Sequence, residues 1–337
     1  NKISPFKRFR LFKKHFNSFA PYLSVRKIYN LILNEIEMRL GVAQPRSFPP
    51  FIKIDPSPMC NLRCADCKQN SLEFKKRFNE KMNLSMDNLK KIIEPLHKYL
   101  LGVSFCVNGE PFSNSNLTEL ISYIHSKKVS VNFPSNFSFN FSDEDLENII
   151  ESGLDKIYVS LDGATKESYQ KYRIGGNFDL ILRNVKKLSE LKLKMNKKKP
   201  VIVWKFVVFD YNATEVDYLK ENYLKYGFDE YRLDYDFRGT ATNEANISAK
   251  KIMVEKKQKC YWLWNTLAVL WDGTVYPCCN WYFDEDIFQL GNAFEQDVKS
   301  IWRGQKYNQL RNSFNKNHYG ENMPNFCKDC IGMKIEA

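Results

Sequence analysis

The sequence predicts an α/β protein that consists of a partial (β/α)6 barrel and a small C-terminal module with a β-hairpin and a helix. Six short runs rich in β-branched and aromatic residues alternate with longer amphipathic stretches between residues 51 and 237, which is typical of βα units around a parallel sheet. The dipeptide Asp272-Gly273 separates two further β-rich runs and predicts a two-residue hairpin turn. Eight of the nine cysteines fall in two tight sets, three near residue 64 and five after residue 259, which indicates metal binding rather than a disulfide framework.

The elements of the barrel follow one another in a regular order. Residues 1–50 are expected to form a helical extension that ends in a loop at residues 44–50. The predicted strands are Phe51–Asp55, Gly102–Val107, Val129–Phe133, Lys156–Leu161, Val201–Phe209 and Tyr231–Tyr235. The predicted helices are Leu89–Leu101, Leu117–Ser126, Asp143–Glu151, Phe178–Leu191 and Thr214–Tyr226. In such a barrel the functional residues are expected at the C-terminal ends of the strands.

The alternation of strands and helices stops after Arg238. Residues 239–250 are polar, which is typical of a linker. The hairpin is expected to run from Leu267 to Pro277, and a helix is expected over Val298–Phe314. The sequence therefore predicts three segments: an N-terminal helical extension (1–50), the barrel (51–238) and the cysteine-bearing module (239–337).

The charge of the chain is strongly positive, with 51 Lys and Arg against 39 Asp and Glu, a formal net charge of +12. A solvated, lysine-rich surface or attraction to an anionic partner would each explain it. The stretch 6–16 mixes cations with aromatic residues, and it is compatible with peripheral contact with an anionic membrane or with docking on the protein itself. Because the sequence has no apolar run of 18 residues and no signal-peptide pattern, we expect a cytoplasmic protein without a membrane span.

The first cysteine set, Cys60-x3-Cys64-x2-Cys67, directly follows the first predicted strand. A structural zinc site normally needs four protein ligands, and no fourth cysteine or histidine lies nearby in the sequence. A 4Fe–4S cluster that is held by three thiolates leaves one iron open for a substrate or cofactor. The alternative is a structural site that borrows a distant fourth ligand.

This loop resembles that of the radical S-adenosylmethionine (SAM) enzymes, in which the same spacing follows the first strand of a partial (β/α)6 barrel. The resemblance implies that Cys60, Cys64 and Cys67 hold a 4Fe–4S cluster whose open iron binds SAM. It also implies reductive cleavage of SAM to a 5′-deoxyadenosyl radical, hydrogen abstraction from a substrate, and a flavodoxin- or ferredoxin-type electron donor. Asp66 stands where the family usually has an aromatic residue.

Further segments resemble the family's SAM-binding motifs, and they occur in the family's order. Val107-Asn108-Gly109-Glu110-Pro111 is similar to the Gly-Gly-Glu-Pro motif that holds the SAM amino group, with Asn108 in place of the first glycine. The resemblance assigns SAM contacts to the following five residues: Gly109, Glu110, Asn136, Ser160 and Arg173.

The second cysteine set has the pattern Cys260-x17-Cys278…Cys327-x2-Cys330. Four thiolates suit either a tetrahedral zinc or a fully ligated 4Fe–4S cluster, and spacing alone does not choose between them. The surrounding segments resemble the SPASM or shorter Twitch auxiliary-cluster domain of radical SAM enzymes. The resemblance then covers residues 51–330 and implies two 4Fe–4S clusters and SAM as cofactors.

Two cysteines, Cys106 and Cys279, remain outside the expected ligand set. Each is either a buried apolar side chain or a catalytic hydrogen donor to a substrate radical. Oxidation (dehydrogenation) is expected if the auxiliary cluster accepts an electron, and epimerisation is expected if one of these thiols returns a hydrogen atom.

The expected substrate is a small or carbohydrate-like molecule, and the net positive charge of the chain is compatible with an anionic one. The alternative is maturation of a ribosomally made peptide by cross-linking or epimerisation. A zinc-stabilised, basic RNA-binding protein is a remote alternative, and we expect no nucleic-acid partner because that function explains neither the three-cysteine loop nor the ordered strand-end motifs.

Overall fold

The computed structural model describes residues 19–70, 83–235, 260–278, 289–314 and Cys327. The basic stretch 6–16, the predicted linker, Cys279 and Cys330 lie outside these residues. The strands are β1 (Phe51–Ile54), β2 (Gly102–Ser104), β3 (Ser130–Ser135), β4 (Lys156–Ser160), β5 (Val201–Val208), β6 (Glu230–Tyr235), β7 (Thr266–Val269), β8 (Thr274–Tyr276) and β9 (Gly291–Asn292).

Ten α-helices flank the strands in the described ranges. They are α1 (Val25–Leu40), α2 (Met86–Leu96), α3 (Leu117–Ser126), α4 (Asp143–Glu151), α5 (Lys166–Tyr172), α6 (Phe178–Lys194), α7 (Val216–Asn222), α8 (Trp262–Asn265), α9 (Val298–Trp302) and α10 (Gln305–Asn312). Within the described residues, no helix is both long and apolar enough to cross a lipid bilayer.

All nine strands form one sheet in the order β6-β5-β4-β3-β2-β1-β7-β8-β9. Strands β1 to β6 pair in parallel with their sequence neighbours, as the βα alternation predicts. Strand β7 pairs in parallel with the other side of β1, with Ile52 opposite Leu267. The hairpin therefore extends the barrel sheet directly beside the strand that precedes the three-cysteine loop.

The two faces of the parallel strands differ in character. Ile157, Val159, Ile202, Trp204 and Phe206 are buried in the main hydrophobic core, which the flanking helices share. The alternate residues of the same strands point to the opposite, concave face. Polar side chains on that face are therefore positioned for binding rather than for packing.

Several predicted elements differ from the structure in their extent. The predicted helix over Thr214–Tyr226 contains only α7 as α-helix, with a 3₁₀ turn on each side. The helix expected over Val298–Phe314 is divided into α9 and α10, because Gly304 adopts an extended conformation as the N-cap of α10. The helix predicted over Leu89–Leu101 begins earlier and ends at Leu96. Helix α5 is additional to the predicted set.

The hairpin between β7 and β8 forms as predicted, but the prediction of a two-residue turn is wrong. The loop spans residues 270–273, with the Gly273 amide donating to the Leu270 carbonyl over 3.0 Å. A two-residue turn of the Asp-Gly type needs a positive φ at both positions. Gly273 has a φ of +85°, whereas Asp272 is not among the described residues with positive φ, so the chain makes a longer turn.

Candidate functional site

The three-cysteine loop leaves the C-terminal end of β1 and is held by backbone hydrogen bonds to the last residue of α5 and to the segment that follows it. The Arg63 amide donates to the Ile174 carbonyl over 2.9 Å, and the Ala65 amide donates to the Tyr172 carbonyl over 3.0 Å. These two bonds fix alternate residues of the loop as a strand would. They keep the loop wrapped around one point.

The three thiols lie together in a small apolar cluster that is separate from the main core. Leu62, Tyr172 and Phe209 are its other principal members. Burial raises the pKa of the Cys60 thiol to about 12, and the neighbouring Cys64 and Cys67 thiols add to that rise. Neighbouring thiols that oppose one another's ionisation are suited to bind a cationic centre, because a metal stabilises the thiolate form.

A cationic side chain stands beside this cluster. The Arg173 Nη1 atom lies 3.7 Å from Cys64 Sγ, and its Nε donates to Asp162 Oδ2 over 2.6 Å. Burial raises the pKa of Cys64, and the charge of Arg173 opposes that rise. The guanidinium would therefore stabilise negative charge on the thiolates.

The donor set fits an iron–sulfur cluster better than a single zinc ion. The described part of the chain contains no group of three or more His, Cys, Asp or Glu side chains that would hold one metal ion. In a cluster each thiolate binds a different iron, so the three sulfurs need not share one coordination sphere. The described residues of this cluster include three soft donors, with Cys64 buried and Cys60 and Cys67 half-buried, and no fourth cysteine among them. Such a set suits an iron–sulfur cluster that keeps one open iron.

The segment Gly109-Glu110 packs tightly against the cysteine loop. The Glu110 amide donates to the Met59 carbonyl over 2.7 Å. Gly109 has a φ of +64°, and a Cβ atom there would lie 1.9 Å from the Ser57 carbonyl oxygen. Only glycine permits this close approach, as the sequence motif requires.

Glu110 is almost fully buried, and its two carboxylate oxygens have separate partners. Ser135 Oγ donates to Oε1 over 2.7 Å, and the Asn136 amide donates to Oε2 over 2.7 Å. Burial raises the pKa of Glu110 to about 7, although both hydrogen bonds act to lower it. A buried carboxylate that titrates near neutrality is a strong partner for an ammonium group when ionised.

The remaining predicted SAM contacts lie at neighbouring strand ends. Asn136 follows β3, and its Nδ2 atom is 3.7 Å from Cys60 Sγ. Ser160 ends β4 and is buried. Arg173 lies at the end of α5, where the buried Asp162 carboxylate pairs with its guanidinium. The structure thus brings the predicted residues to the carboxyl edge of the sheet, with Arg173 oriented toward Asp162 and Cys64.

Of the second cysteine set, the structure describes Cys260, Cys278 and Cys327. Cys278 and Cys327 are buried in the main core, and Cys260 packs against it. Tyr307 is fully buried, and burial raises its pKa, with Cys260 and Cys278 adding to the rise. These two cysteines therefore lie close to the same tyrosine.

Comparison with known protein families identifies the cofactor chemistry of this site. A sequence profile of the radical SAM superfamily matches residues 54–202, and a profile of the SPASM iron–sulfur cluster-binding domain matches residues 260–331. The chain belongs to the radical SAM superfamily. Membership implies a 4Fe–4S cluster and SAM in the barrel, and the SPASM match implies further iron–sulfur chemistry in the C-terminal region of this radical SAM enzyme.

Curated relatives of this radical SAM enzyme differ in their activities. A probable GTP 3′,8-cyclase from Methanococcus maripaludis is 28% identical over 159 residues, which cover 47% of this chain and 50% of that protein. The tungsten-containing aldehyde ferredoxin oxidoreductase cofactor-modifying protein from Pyrococcus furiosus is 23% identical over 302 residues, or 77% of this chain and 83% of that protein. The chain thus spans only half the length of the first relative.

Solved structures show the same fold. Streptococcus suis SuiB bound to S-adenosylmethionine has a TM-score of 0.66 and 16% identity, over 99% of this chain and 83% of that chain. SuiB bound to its precursor peptide SuiA has a TM-score of 0.66 and 15% identity, over 93% and 76% of the two chains.

Two carboxylates at this site were not predicted from the sequence of this radical SAM enzyme. Asp55 follows β1 and is buried, and its Oδ1 accepts the Val107 amide over 2.9 Å and also the Asn108 amide. Its Oδ2 accepts Asn108 Nδ2 over 3.0 Å. Asp162 follows β4 and accepts the Val207 amide over 2.7 Å. Each of them lies directly after a strand, and this position is the sequence feature from which they could have been predicted.

We expect Asp55→Ala to lower the free energy of unfolding by roughly 3 kcal/mol or more, because each buried donor left without an acceptor costs about 1–3 kcal/mol. Asp87 is an exposed carboxylate near Lys90, and Asp87→Ala should cost less than about 1 kcal/mol. Urea unfolding of the anaerobically purified variants measures both. Equal costs would contradict the anchoring role of Asp55.

Proposed function

We propose that this protein is a radical SAM enzyme that acts on a small, anionic, carbohydrate-like substrate bound on the concave face of the sheet. In this proposal Cys60, Cys64 and Cys67 hold the SAM-binding cluster, and Glu110 binds the SAM ammonium group. The second cluster is held by Cys260, Cys278, Cys327 and Cys330. The bound cofactors supply hydrogen-atom abstraction, and the residues described below bind and orient the substrate.

A row of polar side chains that begins at the SAM site supports this substrate class. In the strand register, Ser160 pairs with Lys205 and Lys205 pairs with Arg232. Residues paired in this way point to the same face of the sheet. Lys205 therefore lies beside the predicted SAM contact Ser160, and Arg232 lies beside Lys205.

These two cations share a single carboxylate. Arg232 Nε lies 2.8 Å from Asp234 Oδ1, and Lys205 Nζ lies 3.7 Å from Asp234 Oδ2. The three side chains together have one net positive charge. The Lys205 and Asp234 side chains are each only about a quarter exposed. A phosphate or carboxylate group on the substrate would neutralise that charge.

Cys106 lies near the same group and bears on the reaction outcome. Burial tends to lower the pKa of Arg232, but Asp234 raises it above its ordinary value, and Cys106 contributes to that rise. In this proposal the Cys106 thiol faces the substrate, where a hydrogen donor for epimerisation would have to stand.

The substrate class is tested by single variants of the two cations. We expect Lys205→Ala and Arg232→Ala each to raise the KM for the anionic substrate by about 10- to 100-fold, since hydrogen bonds to charged groups contribute about 1.5–3 kcal/mol. The assay measures 5′-deoxyadenosine formed with hexose phosphates, hexuronates or neutral hexoses. Lys220→Ala is the matched control, because Lys220 pairs with Asp217 on the exposed side of α7.

Stimulation by neutral sugars alone, or by peptides alone, would overturn the proposal, and the latter would establish a peptide maturase. The outcome is read separately in deuterated water. An epimerase incorporates one solvent deuterium into its product, and this label should be lost in a Cys106→Ala or Cys279→Ala variant if that thiol is the donor. A dehydrogenase incorporates no deuterium at the oxidised carbon.

A further inference from the structure

Helix α1 has its polar face turned inward. Asn30 exchanges two hydrogen bonds of 2.9 Å with the backbone of Phe48. Glu37 accepts the amides of Arg46 and Ser47 over 2.7 and 3.0 Å. Asn34 is fully buried and donates to Ser47 Oγ over 3.1 Å. Hydrogen bonds, most of them with loop backbone, therefore attach this side of the helix to the domain, and Met38 adds an apolar contact with the main core.

The outer face of the same helix is apolar. Its exposed large apolar residues recur every three or four positions, so they form one stripe: Val25, Ile28, Tyr29, Ile32, Ile36 and Leu40. This stripe contains six of the twelve exposed large hydrophobic side chains in the described part of the chain. A helix at the surface of a protein in water normally has the reverse arrangement. A contiguous exposed apolar stripe of this kind marks an interaction surface.

The charge around the stripe indicates the chemistry of its partner. The first 34 residues contain eight Lys and Arg and no Asp or Glu, and the first acidic residue is Glu35. Lys27 is turned inward, where it donates to the Lys128 carbonyl. Arg26 and Arg39 are exposed beside the stripe, and Arg39 also pairs with Glu35 over 2.6 Å. An apolar stripe with cations on its flanks matches the boundary between the acyl chains and headgroups of an anionic bilayer.

We propose that the stripe on α1 docks this protein on an anionic lipid bilayer, with α1 parallel to the membrane plane. The same positive charge argues against the other occupants. A second copy would bring an equal positive charge to the contact, and residues 1–18 of the same chain carry six cations and no acidic residue. The inference does not depend on the proposed reaction.

Vesicle co-sedimentation of the full chain tests the proposal. We expect binding to mixed phosphatidylcholine–phosphatidylglycerol vesicles, little binding to pure phosphatidylcholine vesicles, and weaker binding as salt is raised. The stripe variant Ile28→Gln/Ile32→Gln/Ile36→Gln should lower the bound fraction at least about tenfold, because three apolar side chains no longer enter the bilayer. The control Leu193→Gln/Leu224→Gln replaces exposed leucines elsewhere and should bind like the parent.

Circular dichroism and SAM binding should be the same for the parent and both variants, which shows that a lost interaction is not lost folding. If the stripe variant fails this check, the single variant Ile32→Gln is measured in its place. Equal binding to neutral and anionic vesicles, or no binding to either, would overturn the proposal. A dimeric parent together with a monomeric stripe variant would also overturn it. So would hydrogen–deuterium exchange of the α1 amides that is not slowed when vesicles are added.

Discussion

Replacing Cys60, Cys64 and Cys67 by alanine together is expected to halve the iron of the protein, from eight atoms per chain to four, and to abolish SAM cleavage. The three thiols form one apolar cluster with Leu62, so the variant removes every predicted ligand of the barrel cluster at once. Because thiolates are the normal ligands of such clusters, no partial site should remain. Iron, sulfide and 5′-deoxyadenosine are measured after anaerobic purification.

The matched control is Cys106→Ala, which removes a half-buried cysteine outside the expected ligand set. It should keep all eight irons and the substrate-free rate of SAM cleavage. If the parent holds four irons per chain and the triple variant holds none, the protein has no auxiliary cluster, and the dehydrogenase outcome is excluded. Zinc without iron in the parent would contradict the enzyme hypothesis itself.

A complementary variant addresses the C-terminal set. In Cys260→Ala/Cys278→Ala, we expect four irons to remain, all of them in the barrel site, with SAM still cleaved in the absence of substrate. Because Cys278 is buried in the main core beside β8, a loss of stability accompanies the loss of iron. Retention of eight irons would show that these cysteines are not cluster ligands.

Much of the barrel could be predicted from the sequence because local patterns determine it. Helices α3 and α4 begin and end at the predicted residues, and the Ser142 capping box explains the sharp start of α4. The place of the hairpin could not be predicted. It depends on the pairing of β7 with β1, which joins segments more than 200 residues apart and leaves no local pattern.

At the site too, residues that act within one loop could be predicted, whereas residues that act through contacts distant in sequence could not. The cysteine loop and the Gly109-Glu110 segment have short motifs, since their chemistry needs fixed spacing within one loop. Asp55 and Asp162 have none, because each accepts amides from a strand end elsewhere in the chain. The exposed stripe of α1 also escaped sequence analysis, since periodicity shows that a helix has two faces but does not show which one is buried.

Glu110→Gln is expected to weaken SAM binding by about 30-fold or more, since breaking a buried charge pair costs about 2–5 kcal/mol. The substitution keeps the size of the side chain but removes the charge that would pair with the SAM ammonium group. Ser135→Ala is the matched control. It removes the 2.7 Å hydrogen bond from Ser135 Oγ to Glu110 but keeps the carboxylate, so SAM affinity should change by less than about tenfold.

The pH dependence separates a charge partner from a merely structural carboxyl group. Because burial raises the pKa of Glu110 to about 7, the side chain is largely neutral below that pH and ionised above it. SAM affinity should therefore fall about tenfold between pH 8 and pH 6, as the ionised fraction of the free protein falls. In Glu110→Gln the affinity should be low and independent of pH over this range. Anaerobic equilibrium dialysis, with iron measured at each pH, gives both curves, and parallel curves for the parent and the variant would exclude Glu110 as the ammonium partner.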